Sequence, residues 1–191
     1  MVTIPSQMLK IGTRMPAFEL PDYDGKLLSS DEYEDQPVLV IFLCNHCPYV
    51  RHIIDKLSER VREYQENGIA VVGISANDIE QYPEDAPDKM KEFADKHDFT
   101  FPYLFDKSQE VAQEYQAACT PDFFLFDDAH RLYYRGQFDD SRPKTDVPVT
   151  GEDLDSAAES LLAGNPIPQQ QKPSVGCNIK WKPGNEPDYF G

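Results

Sequence analysis

Cysteine is scarce: Cys44, Cys47, Cys119 and Cys177 are the four in 191 residues. Four are too few for a disulfide scaffold, so a closely spaced pair points instead to redox or metal chemistry. Basic residues are also few, 18 Lys and Arg against 34 Asp and Glu, for a net charge of −16. Such a surface cannot neutralise a run of phosphates, and nucleic acid is not an expected partner. The acidity reads as a well-solvated, self-repelling surface. No window approaches the ~18 apolar residues of a membrane span. The start, MVTIPSQMLKIGTRMPAFEL, has no basic segment followed by an apolar stretch, so the expectation is a cytoplasmic protein with no membrane partner. There is no internal repeat, and one domain is the default at this length.

What is present alternates between strand and helix patterns. The β-branched and aromatic run PVLVIFL, residues 37–43, predicts a fully buried central strand. Val50, Ile53, Ile54, Leu57, Val61 and Tyr64 then recur at three- and four-residue steps, a helix that stops at Asn67-Gly68. A second apolar run, 69–75, makes residues 38–75 a βαβ unit with a right-handed crossover. A polar loop, 77–88, leads to a helix over 89–97, a strand over 101–105 and a short helix over 108–117. Residues 122–126 and 131–138 read as an antiparallel hairpin, and Thr150-Gly151-Glu152-Asp153 opens a last helix. From Gly164 on, Pro166, Pro168, Pro173, Pro183 and Pro187 predict an extended tail rather than a second domain. The organisation is therefore residues 1–163 as an α/β domain, a mixed central sheet flanked by helices, and residues 164–191 as a tail whose Trp181, Tyr189 and Phe190 are suited to docking on it.

The chemistry centres on LCNHCPYV, residues 43–50. Cys44 and Cys47 straddle a strand-to-helix turn, and three readings of them stand open: inert buried thiols, half of a metal site, or a working dithiol. With no second CxxC to complete a zinc site, the dithiol is favoured. A sulfur at the start of a helix meets unpaired N–H groups and the positive end of the helix dipole. That assigns a lowered pKa and the nucleophilic role to Cys44, with Cys47 close enough to close a disulfide. His46, just before the second cysteine, is expected to stabilise the thiolate and make the disulfide a better oxidant.

A CxxC after a buried strand, with Cys119-Thr120-Pro121 preceding a hairpin much later, resembles the thioredoxin-like superfamily. AFELPDYDGK near the start, the loop after Ser75 and CNHCPYV are similar to its peroxiredoxin-like branch, related to alkyl hydroperoxide reductase and thiol-specific antioxidant proteins. The tail GCNIKWKPGNEPDYF also resembles that branch. The resemblance implies a thioredoxin-like fold, Cys44 as attacking thiol, Cys47 as resolving thiol, and Pro121 as a cis proline facing them. It places Thr120 and Cys119 beside the dithiol, and Cys177 becomes a third redox partner if the tail folds back. It implies a thiol–disulfide oxidoreductase acting on protein or small-molecule disulfides, with a thioredoxin- or glutathione-type electron donor and no metal or organic cofactor. A thiol-dependent peroxidase acting on hydroperoxides, an antioxidant activity, is the alternative, and a redox-sensing module is the non-enzymatic one. Two departures stand out. The strand before the motif has no carboxylate, and Cys44 stands where peroxiredoxins carry a threonine, with no arginine between residues 117 and 128.

Overall fold

The computed structural model describes residues 3–190. In chain order, Thr3–Pro5 forms β1 and Glu19–Pro21 and Leu27–Ser29 form the hairpin β2–β3. Val38–Phe42 is β4, Pro48–Glu66 is α1, Ala70–Ser75 is β5 and Pro87–Lys96 is α2. Tyr103–Phe105 is β6, Glu110–Glu114 is α3, and Cys119–Thr120 and Asp122–Phe126 are β7 and β8. Leu132–Gly136 is β9, Glu152–Leu162 is α4 and Val175–Asn178 is β10.

The main sheet runs β6-β5-β4-β8-β9, parallel among β4, β5 and β6 and antiparallel from β4 through β8 to β9. All five residues of β4 are buried, because successive side chains point to opposite faces and both faces are covered. Leu39 and Ile41 pack with Ile54 and Leu57 of α1, Met90 of α2 and Leu154 of α4. Val38, Val40 and Phe42 face the other way, toward Ala112 of α3, Tyr115, Ile179 and Trp181. Each such Leu or Ile contributes roughly 1.5–3 kcal/mol by leaving water.

The α/β architecture has the thioredoxin-like arrangement that the sequence implied. The tail is extended, as its prolines require, but it is not peripheral. β10 lies between β1 and β7, antiparallel to both, with Cys177 opposite Thr120 and Asn178 opposite Cys119. Ile179 and Trp181 beyond it are buried in the main core. The Lys180 N–H donates to Asn77 Oδ1 at 2.9 Å, and the Lys180 carbonyl accepts from Asp78 N–H at 2.8 Å.

Gly176 is what allows β10 to approach so closely. A Cβ there would lie 2.0 Å from the Thr120 carbonyl oxygen and 2.7 Å from its carbon, and a backbone neighbour cannot swing aside. Gly176→Ala is expected to cost about 1–3 kcal/mol through overpacking and to loosen the tail. A lowered denaturant midpoint, together with new cleavage between residues 164 and 175 in limited proteolysis, is the expected result. An unchanged midpoint and cleavage pattern would mean that β10 is not held by this contact.

Candidate active site

The chain leaves the sheet at the end of β4: Leu43 N–H still bonds to the Ile74 carbonyl at 3.0 Å, and Asn45 and His46 then cross toward α1. Pro48 takes the first helical position, where its missing N–H costs nothing, so the cap residue of α1 is Cys47.

One buried carboxylate shapes the crossing. Asp85, fully buried in a short 3₁₀ turn over Pro83–Asp85, accepts the N–H groups of Asn45 and His46 on Oδ1 at 2.8 and 3.3 Å. Its Oδ2 lies 2.6 Å from His46 Nδ1 and accepts from Asn77 Nδ2 at 2.8 Å. The Asn45 side chain is also fixed, donating to the Glu84 carbonyl at 3.0 Å and accepting from Tyr103 OH at 3.0 Å. The His46 ring stacks on Tyr82, 5.5 Å between centroids. The hydrogen bond to Asp85 raises the His46 pKa above the ordinary imidazole value, against burial that pulls it down.

All four thiols are buried. Cys44 Sγ lies 3.5 Å from Thr120 Oγ1. As a thiol, Cys47 donates to the Thr120 carbonyl at 3.2 Å. Burial pushes the Cys47 thiol up, but the neighbouring Cys177 and Cys44 thiols and Thr120 outweigh that and lower it. Cys44 goes the other way, raised by burial, by its bond with Cys47 and by the charge of Asp85. The Cys177 thiol is also raised, first by its bond to Cys47 and then by burial. The structure puts Cys47, rather than Cys44, at the cap of α1, and Cys44 three residues before it, just past the end of β4.

Thr120-Pro121 is the cis peptide bond that the resemblance implied. Cys119 alternates away from Thr120 along β7, its thiol 3.7 Å from the Pro121 carbonyl and raised by burial. His46 bonds to Asp85 rather than to sulfur, and its Nε2 has no hydrogen-bond partner among the described residues. Cys44, His46 and Asp85 bring three metal-ligand types within 4.8 Å of one another, with both Asp85 oxygens already engaged. The sequence reading missed Asp85, Asn77 and Tyr103; the signal for Asp85 is an acid closely flanked by Pro83 and Pro87, where the backbone is stiff. It also missed Asp122, directly after Pro121, which is fully buried and pushed up to about 7 by desolvation.

Residues 11–135 match the AhpC/TSA family. Thiol-disulfide oxidoreductase ResA of Bacillus thuringiensis subsp. konkukian is 23% identical over 121 residues, 63% of this chain and 66% of its own. Peroxiredoxin Bcp of Escherichia coli K12 is 29% identical over 129 residues, 66% of this chain and 78% of its own. The crystal structure of an uncharacterized conserved protein from Geobacillus kaustophilus superposes with a TM-score of 0.93 at 46% identity, over 96% of this chain and 98% of that one.

The His46–Asp85 pair gives a pH signature. Because the folded His46 value is raised above 6.5, the stability it contributes is fully present below about 6.5 and is lost as pH rises through the raised value. In Asp85→Asn the remaining burial should return the His46 titration, followed by NMR, to 6.5 or below. The fold should lose about 2 kcal/mol with the charged acceptor. An unshifted His46 titration would show that Asp85 does not hold the ring.

Proposed function

The chain belongs to the AhpC/TSA family, with thiol-disulfide oxidoreductases and peroxiredoxins among its relatives, and on that footing we propose that it is a thiol–disulfide oxidoreductase whose attacking sulfur is Cys47. The observation that carries this reading is the position of Cys47 Sγ, buried at the cap of α1 and 3.2 Å from the carbonyl of Thr120 in the cis Thr120-Pro121 segment, with Cys44 Sγ 3.5 Å from Thr120 Oγ1. Cys47 thiolate attacks one sulfur of a substrate disulfide, forms a mixed disulfide and expels the other as a thiolate. Cys44, hydrogen-bonded to Cys47, gives up its proton and attacks the Cys47 sulfur, which closes the Cys44–Cys47 bond and expels the second thiolate. The substrate gains the two electrons that the dithiol loses, and a thioredoxin- or glutathione-type thiol donor returns them. His46 and Asp85, each with a ligand atom within 4.8 Å of Cys44 Sγ, are placed to take the Cys44 proton. We assign the protein to the cytoplasm, where such donors keep thiols reduced.

A second reading, hydroperoxide reduction, has one observation in its favour: the second cysteine of the motif, which corresponds to the peroxidatic position, is the one at the cap of α1. Cys47 would take one peroxide oxygen as a sulfenic acid, releasing an alcohol or water, and Cys44 would condense with it to release water. Among the described residues, however, no arginine hydrogen-bonds to either sulfur; Arg51, the nearest in sequence, donates through Nε to the Asn45 carbonyl at 2.8 Å. Disulfide exchange is therefore the primary activity.

The test is insulin-type disulfide reduction alongside peroxide consumption with a thioredoxin donor. Disulfide reduction well above peroxide turnover is expected, with Cys47→Ser at the uncatalysed rate in both assays. Because the thiolate stabilises the reduced form, the reduction potential should lie above the roughly −270 mV of thioredoxin. Full activity in Cys47→Ser would overturn the assignment, and peroxide turnover as the dominant reaction would select the second reading.

A further inference from the structure

We propose that Cys177 is a third reacting sulfur, the thiol that closes a disulfide with Cys47 from the tail side. The inference rests on the exchange chemistry proposed above and adds a residue to it. Directly opposed residues of an antiparallel pair project to the same face of a sheet. Cys177 is opposed to Thr120, and Thr120 contacts both Cys44 and Cys47. Cys177 therefore shares the face of the dithiol, whereas Cys119 and Asn178, the next opposed pair, take the other.

The position of Cys177 is fixed on both sides in sequence. Before it, Gly176 lets the backbone press against the Thr120 carbonyl. After it, Ile179 is 1% exposed and the Lys180 N–H is tied to Asn77, the same residue that donates to Asp85. On its other edge the strand pairs with β1, Thr3 opposite Cys177. A cysteine held merely as a small core residue needs no sulfur partner. This one is buried in the same cluster as Cys44 and Cys47, opposite the threonine that touches both sulfurs, which is the placement a resolving thiol requires.

The step balances without a further reagent. Cys47 in a mixed disulfide with RS is attacked at sulfur by Cys177; the Cys177 proton passes to the departing RS group, the Cys47–SR bond breaks and the Cys47–Cys177 bond forms. The Cys44 thiolate can then attack Cys47, forming Cys44–Cys47 and releasing Cys177 as a thiolate that takes up the Cys44 proton. That second exchange moves the bond between partners with no net electron transfer. The oxidised protein therefore carries one disulfide shared between two positions, and a thiol donor of the class named above reduces either form.

The experiment uses the full chain, reduced and then treated with glutathione disulfide, quenched in acid and digested without reductant for mass spectrometric mapping. Wild type is expected to give Cys47–Cys177 together with Cys44–Cys47. Cys44→Ser should give Cys47–Cys177 as its sole internal bond, and adding Cys177→Ala should lose that bond and leave Cys47 carrying glutathione. Cys44→Ser leaves β10 untouched, so this arm holds even if Cys177→Ala disturbs folding. Cys44→Ser that accumulates the Cys47–glutathione adduct with Cys177 still a thiol would overturn the proposal alone, wild type then showing only Cys44–Cys47. A wild type that forms neither an adduct nor an internal disulfide would overturn the exchange reading together with it.

Discussion

The negative charge proposed for the buried sulfur of Cys47 sets the terms for the groups around it. An anion withdrawn from water is costly unless donors replace the lost hydration. Here the groups available are two neighbouring thiols and Thr120. Because the three thiols share one favourable position for charge, lowering Cys47 raises Cys44 and Cys177, as coupled groups must. The start of α1 and the cis Thr120-Pro121 segment therefore meet at that sulfur, with β10 paired to the same segment through Cys177 and Thr120.

A second layer of support comes from Asp85. The strand leading into the motif has no acid, and a buried one is supplied instead by the loop between β5 and α2. It fixes the Asn45 and His46 backbone, orients the imidazole and bonds to Asn77, which in turn holds Lys180 of the tail. The turn that carries both cysteines and the segment that carries Cys177 are thus braced against the same carboxylate. A rigid support of this kind holds reacting groups in place without reorganisation at the moment of reaction.

The elements that build the sheet were legible because each buries a face with its own period. The runs at 37–43 and 69–75 could only be central strands, and the three- and four-residue spacing from Val50 to Tyr64 could only be a helix against them. Boundaries moved where a residue could not serve a ladder: β6 begins at Tyr103 rather than Phe101, since Pro102 has no N–H to donate. Which of the two cysteines caps α1 was not legible, because sequence periodicity fixes a helix start only to within about two residues, and here that margin decides which sulfur is the cap. Pro48 carried the missing signal, given the preference of proline for the first helical position. Asp85 looked like one more solvated acid in a polar loop. β10 could not be anticipated, because VGCN is too short and too weakly alternating to announce a strand, and its partners lie far away in sequence.

The measurement that bears most directly on the central claim is the titration of the individual thiols, with the ultraviolet absorbance of the thiolate followed against pH and each step assigned by alkylation and mass spectrometry. Cys47 should be ionised far below the ordinary thiol value of 9.0, with Cys44 and Cys177 ionising only above it. A Cys44 thiolate that forms first, with Cys47 still protonated at neutral pH, would contradict the account.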